Sequence, residues 1–135
     1  MDKNQVGYSK RSLVDKLGVK TGDKVAIINA PKGFQLGQVV METKLKDSLD
    51  FIHFFAKSGK ELSRHFPKLK KSLKADGSLW ISWPKKSSAV KSDLNENVVR
   101  KIGLANGLVD VKVAAIDEIW SGLKFVFRVK DRNRF

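Results

Sequence analysis

Four short polar segments carry the side chains that could hold a ligand: Asn29-Ala30-Pro31-Lys32-Gly33, Lys57-Ser58-Gly59, Trp83-Pro84-Lys85-Lys86-Ser87-Ser88, and Asp117-Glu118-Ile119-Trp120-Ser121-Gly122. Lys32, Lys85 and Lys86, with the hydroxyls of Ser87 and Ser88, suit an anion. A helix opening at Ser58 would add backbone N–H donors, because the first turn of a helix leaves its amides unpaired. Asn29 offers both a donor and an acceptor. Asp117 and Glu118 suit a cationic or hydroxyl group, and Trp83 and Trp120 offer flat apolar walls. Each also has a plainer use. Lys85 and Lys86 fit a solvated loop, and Asp117-Glu118 fits a tight turn or a pairing with a nearby lysine.

Several other chemistries lack their residues. The chain has no Cys, which removes disulfides, thiolate ligands and thiol nucleophiles. With two His, a metal centre would have to rely on carboxylates, and no metal is expected. His53 lies in an apolar run and reads as a satisfied core histidine, while His65 belongs to a basic helix and reads as exposed. No Ser-His-Asp order or pair of catalytic carboxylates stands out, so the residues lean away from an enzyme.

Charge suggests partners. Lys and Arg number 27 against 14 Asp and Glu, a formal net charge of +13 on 135 residues. Such a potential attracts nucleic acid, phosphorylated ligands or anionic surfaces. Lys60, Arg64, Lys68 and Lys71 recur at helical spacing and form the one candidate nucleic-acid stripe. It lacks the interleaved exposed aromatics of single-strand binders, so it points to electrostatic and not sequence-specific contact. The N-terminus opens polar, and no apolar run nears the ~18 residues of a membrane span, so a cytoplasmic protein without membrane contact is expected.

The length suits one domain, 1–135, with 1–8 and 131–135 as loose ends. A short helix is expected from an N-cap at Ser9 to Gly18. Strands follow at 24–29, 39–44 and 50–56, the first and third apolar on both faces as in a covered parallel sheet. The link before residue 39 is too short for more than one helical turn. Ser58 and Glu61 have capping-box spacing for a helix to about Lys74, which Pro67 should kink. Ala75-Asp76-Gly77 reads as a turn into a strand at 79–83. Asp93 and Glu96 read as the cap of a helix burying Leu94, Val98, Ile102 and Ala105. Strands 109–116 and 122–129 form a terminal hairpin. Strand–helix alternation ending in a hairpin predicts a single doubly wound α/β sheet, mostly parallel, with a C-terminal antiparallel hairpin.

The segment Leu62 to Trp83, a helix with Leu69 and Leu73 and then Lys74-Ala75-Asp76-Gly77-Ser78-Leu79-Trp80-Ile81, resembles the helix–turn–strand near the middle of class I methyltransferases. A fuller likeness rests on Asn29-Ala30-Pro31 with Gly33, Trp83-Pro84-Lys85-Lys86-Ser87-Ser88, Gly107-Leu108-Val109-Asp110-Val111-Lys112-Val113, and Asp117-Glu118 with Trp120-Ser121-Gly122-Leu123-Lys124. Over nearly the whole chain these motifs resemble an uncharacterised bacterial family of short, truncated methyltransferase-like (Rossmann-type) domains. The resemblance implies that fold and brings no established activity. It makes S-adenosylmethionine the candidate cofactor. Asn29 to Phe34 stands where the enzymes carry a Gly-rich turn, and Glu42 stands in for the acid that ends their second strand.

In an open parallel sheet, ligands bind at the carboxyl ends of the strands, and that rule gathers the four polar segments on one rim. The expectation is a non-catalytic or regulatory binding domain, its pocket taking a small anionic ligand or a protein partner. A minimal or degenerate S-adenosylmethionine-dependent methyltransferase is one alternative. Non-specific nucleic-acid binding through the basic stripe is the other.

Overall fold

A computed structural model describes residues 12–37, 41–42 and 44–134. The elements run α1 (Leu13–Leu17), β1 (Val25–Ile28), β2 (Met41–Glu42), β3 (Leu49–Phe55), α2 (Gly59–Ser72), β4 (Leu73–Pro84), α3 (Glu96–Ala105), β5 (Leu108–Ala115) and β6 (Trp120–Phe127). All six strands form one sheet in the order β2-β1-β3-β4-β6-β5. β2, β1, β3 and β4 pair in parallel, whereas β6 runs antiparallel to both β4 and β5. The expected doubly wound, mostly parallel α/β sheet with a terminal hairpin is therefore the architecture. No helix among the described residues is long and apolar enough to cross a membrane.

The alternating side chains of the strands divide the core in two. Ile52, Phe54, Leu79, Ile81, Trp83, Leu123 and Phe125 face α2 and α3 and pack with Leu62, Phe66, Leu69 and Val99. Phe51, Phe55, Trp80 and Trp120 face the other way and meet Leu17 and Val19 of the α1 region and Leu36 of the β1–β2 link. Among the described residues that link holds no helix, and β1 and β2 share only the pairs Val25–Met41 and Ala26–Glu42.

Local chemistry moves several boundaries. The N-cap of α1 is Ser12, whose Oγ accepts from the Asp15 amide at 3.2 Å, while Ser9 lies outside the described residues. Of the strand expected at 39–44, Met41–Glu42 is strand, and 39, 40 and 43 lie outside the described residues. Helix α2 continues through Pro67 and passes directly into β4, so Ala75-Asp76-Gly77 is extended and no turn. Three extra residues of β4 are absorbed there, since Leu49 pairs with Leu73 but Phe51 with Ser78. Gly77 allows it: a Cβ at that position would lie 3.0 Å from the carbonyl oxygens of Leu49 and Asp50.

Helix α3 is capped by Asn95, whose Oδ1 accepts from the Val98 amide at 2.9 Å; Asp93 is committed elsewhere. Its buried residues are Val99 and Gly103, while Val98 and Ile102 are half-buried and Ala105 is exposed. Gly103 lets α3 lie on β6, since a Cβ there would come within 2.0 Å of the Phe125 ring. Beyond β6, Val129–Arg134 forms a 3-10 turn in place of the loose tail expected from Asp131. Arg128 Nε donates to Asp131 Oδ2 at 3.0 Å, and Arg132 Nε to the Phe127 carbonyl at 3.1 Å. Residues 1–8 lie outside the described residues.

Candidate functional site

β2 and β3 lie on opposite sides of β1, so the strand order reverses between β1 and β3, and their carboxyl ends leave a crevice. A cavity of about 350 Å³ opens there, lined by Asn29, Ala30 and Pro31 after β1, Phe55 and Lys57 at the end of β3, Glu61 in the first turn of α2, and Trp120 at the start of β6. The volume lies at the small end of the range for sites that bury a drug-sized ligand, about 300–1,000 Å³. β6 runs antiparallel, so its first residue reaches the same rim as the last of β4, where Trp120 pairs with Pro84.

Asn29 adopts φ +59°, a left-handed conformation that Asn tolerates better than most residues. This is the position where a glycine-rich turn would begin, and Asn supplies the backbone geometry while adding a polar side chain. Opposite it, the Phe55 and Trp120 rings meet edge to face, 5.1 Å between centroids. Trp120 is held by the hairpin turn: Asp117 Oδ1 accepts from the amides of Ile119 and Trp120, both at 2.8 Å. Asp117 thus shapes the turn with its carboxylate, and Glu118 beside it is exposed.

The start of α2 differs from the expected anion cradle. Ser58 Oγ accepts from the Glu61 amide at 3.0 Å, and Glu61 Oε1 accepts from the Lys57 amide at 3.1 Å, one residue further back than a capping box places it. Asp93 Oδ1 reaches across from the loop before α3 to accept from the Gly59 amide at 2.8 Å, and Ser92 Oγ donates to the Lys57 carbonyl at 2.6 Å. The amides of Lys57, Gly59 and Glu61 are committed, two of them to carboxylates. Acidic groups already complement the positive end of the helix, and Ser58 serves as its N-cap.

The Lys85 to Ser88 loop lies beside this rim. The Lys85 amide donates to the Ile119 carbonyl at 2.7 Å, which ties the loop to the hairpin. Ser88 Oγ donates back to the Lys85 carbonyl at 2.7 Å. A separate depression of about 580 Å³ follows Lys85, Lys86, Ser88 and Ser92, away from Asn29. Lys86 and Ser87 are exposed, as is Lys32 on the β1–β2 link. Trp83 belongs to the core on the α2–α3 face, opposite Trp120, so the two indoles do not wall one pocket. A third depression, about 630 Å³, lies at the other edge near Ser48 and Leu73, where β3 and β4 begin.

Lys60, Arg64, Lys68 and Lys71 are all exposed along α2. His65 between them is half-buried, its Nδ1 2.9 Å from the Glu61 carbonyl and its ring tilted against Phe54. His53 is fully buried beneath Phe34, stacked on Phe55 at 4.2 Å, with Nε2 2.6 Å from Ser82 Oγ. Its Nδ1 has no partner, so it is a core histidine only half satisfied. Burial pulls its pKa down to about 3. Among the described residues no group of three or more His, Cys, Asp and Glu could hold a metal ion. Lys57 belongs to a segment the sequence already placed on this rim, whereas Phe55 and Glu61 were missed as pocket residues. The strand-end rule could have found Phe55, the last residue of β3, while Glu61 sits in the first turn of α2 and carried only a capping signal.

The fold is that of class I S-adenosylmethionine-dependent methyltransferases. A methyltransferase from Aquifex aeolicus superposes with TM-score 0.61 at 17% identity, covering 84% of this chain and 86% of that one. A TehB-like methyltransferase from Corynebacterium glutamicum gives 0.59 at 12% identity, with 91% of both chains covered. Magnesium protoporphyrin IX methyltransferase from Synechocystis, solved with bound S-adenosylhomocysteine, gives 0.50 at 16% identity over 65% of this chain. The chain spans 51% of that enzyme's length and 31% of the mitomycin 7-O-methyltransferase it also resembles. No protein-family profile and no curated protein matches the sequence.

Proposed function

We propose that this chain is a small-ligand-binding domain that takes S-adenosylmethionine, or a closely related adenosyl compound, in the pocket between Asn29 and Trp120. The observation that carries the reading is the position of that pocket, at the carboxyl ends of β1 and β3 where the strand order reverses. Its lining fits the chemistry. Phe55 and Trp120 give aromatic surface for a base, Ala30 and Pro31 apolar surface, and Asn29 and Lys57 polar groups. Structural neighbours solved with S-adenosylmethionine or its demethylated product support the ligand class.

Glu61 is the single acid among the lining residues. S-adenosylmethionine carries a sulfonium and an ammonium against one carboxylate, a net positive charge that a strongly basic chain repels. A carboxylate in the pocket offsets that locally, so Glu61 favours the methylated ligand over its neutral product. The binding reading, as against a catalytic one, is supported by how the lining is committed: Glu61 spends one carboxylate oxygen on the Lys57 amide. On this reading the short bacterial family that the sequence resembles would be methyltransferase-fold binding domains. A minimal methyltransferase is the second reading, favoured by the shared fold.

Isothermal calorimetry with both compounds tests this. Binding is expected for each, with Glu61→Gln weakening S-adenosylmethionine about two- to fivefold and the product less, as one partly exposed charge pair is worth up to about 1 kcal/mol. No heat from either compound at millimolar concentration overturns the assignment. Release of demethylated product on prolonged incubation with candidate acceptors would decide for the enzyme.

A further inference from the structure

The sheet face that α1 covers carries a group of lysines with no described counter-ion. Lys112 and Lys124 stand directly opposite each other in the β5–β6 register, on the same face. Like charges at opposed positions destabilise a sheet. Lys124 Nζ lies 3.6 Å from the place a Cβ on Gly18 would take, which sets it against the end of α1. The carbonyls at the end of α1 meet these charges only in part. Lys112 Nζ donates to the Lys16 carbonyl at 2.9 Å, and the Trp80 indole donates to the Leu17 carbonyl at 2.9 Å. Lys16 Nζ turns to the Ala115 carbonyl at 3.2 Å, and the Lys20 amide uses Asp23 while its ammonium stays exposed. Among the described residues no ion pair neutralises Lys20, Lys112 or Lys124.

We infer that Lys20, Lys112 and Lys124 form a phosphate-binding site on the α1 face, separate from the pocket at the carboxyl edge and independent of what that pocket holds. Lys112 and Lys124 set their ammonium groups against the end of α1, and Lys20 follows that end by three residues. Three positive charges so placed fit a multiply charged tetrahedral anion better than a carboxylate, and lysine serves phosphate as a point charge. Burial and the neighbouring Lys112 and Lys20 lower the Lys124 pKa, so the site without an anion carries its charge at a cost that an anion would relieve. The phosphate can belong to a free phosphorylated compound or to a nucleic-acid backbone.

Calorimetric melting of the full chain in inorganic pyrophosphate, against sodium chloride of equal ionic strength, reads the site directly. Wild type is expected to gain roughly 3 °C in Tm from pyrophosphate. Lys124→Met removes the repulsion and keeps the aliphatic stem. It should melt no lower than wild type without anion yet lose at least half the pyrophosphate gain. Lys20→Gln, on an exposed position, should leave the basal melt unchanged and reduce the gain likewise. An equal gain in chloride, an undiminished gain in both variants, or a lower basal melt for Lys124→Met overturns the inference. A single-stranded DNA oligonucleotide, followed by fluorescence anisotropy, then separates the sources. A fivefold or larger loss of affinity in both variants assigns the site to a phosphodiester backbone, and unchanged affinity with a lost pyrophosphate gain assigns it to a free phosphate compound.

Discussion

On one face of the sheet, α2 and α3 lay 14 and 10 residues of amphipathic helix over β3, β4 and β6. On the other, α1 contributes 5, and the loop around Phe34 and Leu36 fills in where a doubly wound sheet would place a crossover helix. The two faces consequently tolerate different chemistry. The thick face buries leucines, phenylalanines and Trp83 in one apolar cluster. The thin face keeps the buried His53–Ser82 pair, the opposed Lys112 and Lys124, and the Phe55–Trp120 corner of the pocket. Where no crossover helix lies among the described residues, polar groups that such a helix would exclude persist on the sheet.

The largest expected effect tests the thick face. Phe66 is fully buried and meets Phe125 edge to face, 5.7 Å between centroids. Phe66→Ala should lower unfolding free energy by about 3–5 kcal/mol in urea titration, since neither helix nor sheet can close the gap. Phe34→Ala, on the half-buried loop of the thin face, should cost about 1 kcal/mol. Equal losses would mean that both faces are equally packed and the comparison fails.

A smaller effect is written in pH. His53 is neutral in the folded chain with its pKa near 3, against about 6.5 when unfolded. Below pH 6.5 the unfolded chain takes up a proton that the folded chain refuses. Stability is therefore complete above that pH and lost as pH falls towards 3, by about 2 kcal/mol between pH 6.5 and 5. His53→Leu with Ser82→Ala should remove this slope and cost little at neutral pH, because both polar partners leave together. His53→Leu alone should cost about 1–3 kcal/mol by stranding the Ser82 hydroxyl. Chemical denaturation across pH 5–8 reads all three, and an unchanged slope in the double variant would place the acid sensitivity elsewhere.

What the sequence revealed follows from how local its signals were. Runs such as Val25-Ala26-Ile27-Ile28 and Phe51-Ile52-His53-Phe54-Phe55 are apolar on both faces, so a covered parallel sheet was legible, and Asp117 to Trp120 marked the hairpin. Gly77 misled because a glycine that admits a neighbouring carbonyl looks the same as one that turns the chain. Asp93 misled because its partner, the Gly59 amide, is 34 residues away, although Asp93 and Glu96 have the spacing of a local cap. The rim itself was legible in part. Asn29 and Trp120 do meet at one pocket, but Trp83 falls on the opposite face because alternation along β4 decides the side, and Glu61 was read only as a cap.

The smallest effect concerns the loop that borders both faces. Lys85 and Lys86 are attached through backbone: the Lys85 amide to Ile119, and its carbonyl to the amide and hydroxyl of Ser88. Alanine keeps every one of these bonds and removes only two ammonium groups, for which no ion pair is found among the described residues. Lys85→Ala with Lys86→Ala should therefore shift stability by no more than about 0.5 kcal/mol, within roughly 2 °C of the wild-type melt. A larger loss would show that the lysine stems pack over the Pro84 end of β4, making this loop part of the thin face's cover. A gain would show that the two ammonium groups repel each other, as proposed for Lys112 and Lys124, and would extend the uncompensated positive charge from the α1 face to the carboxyl rim.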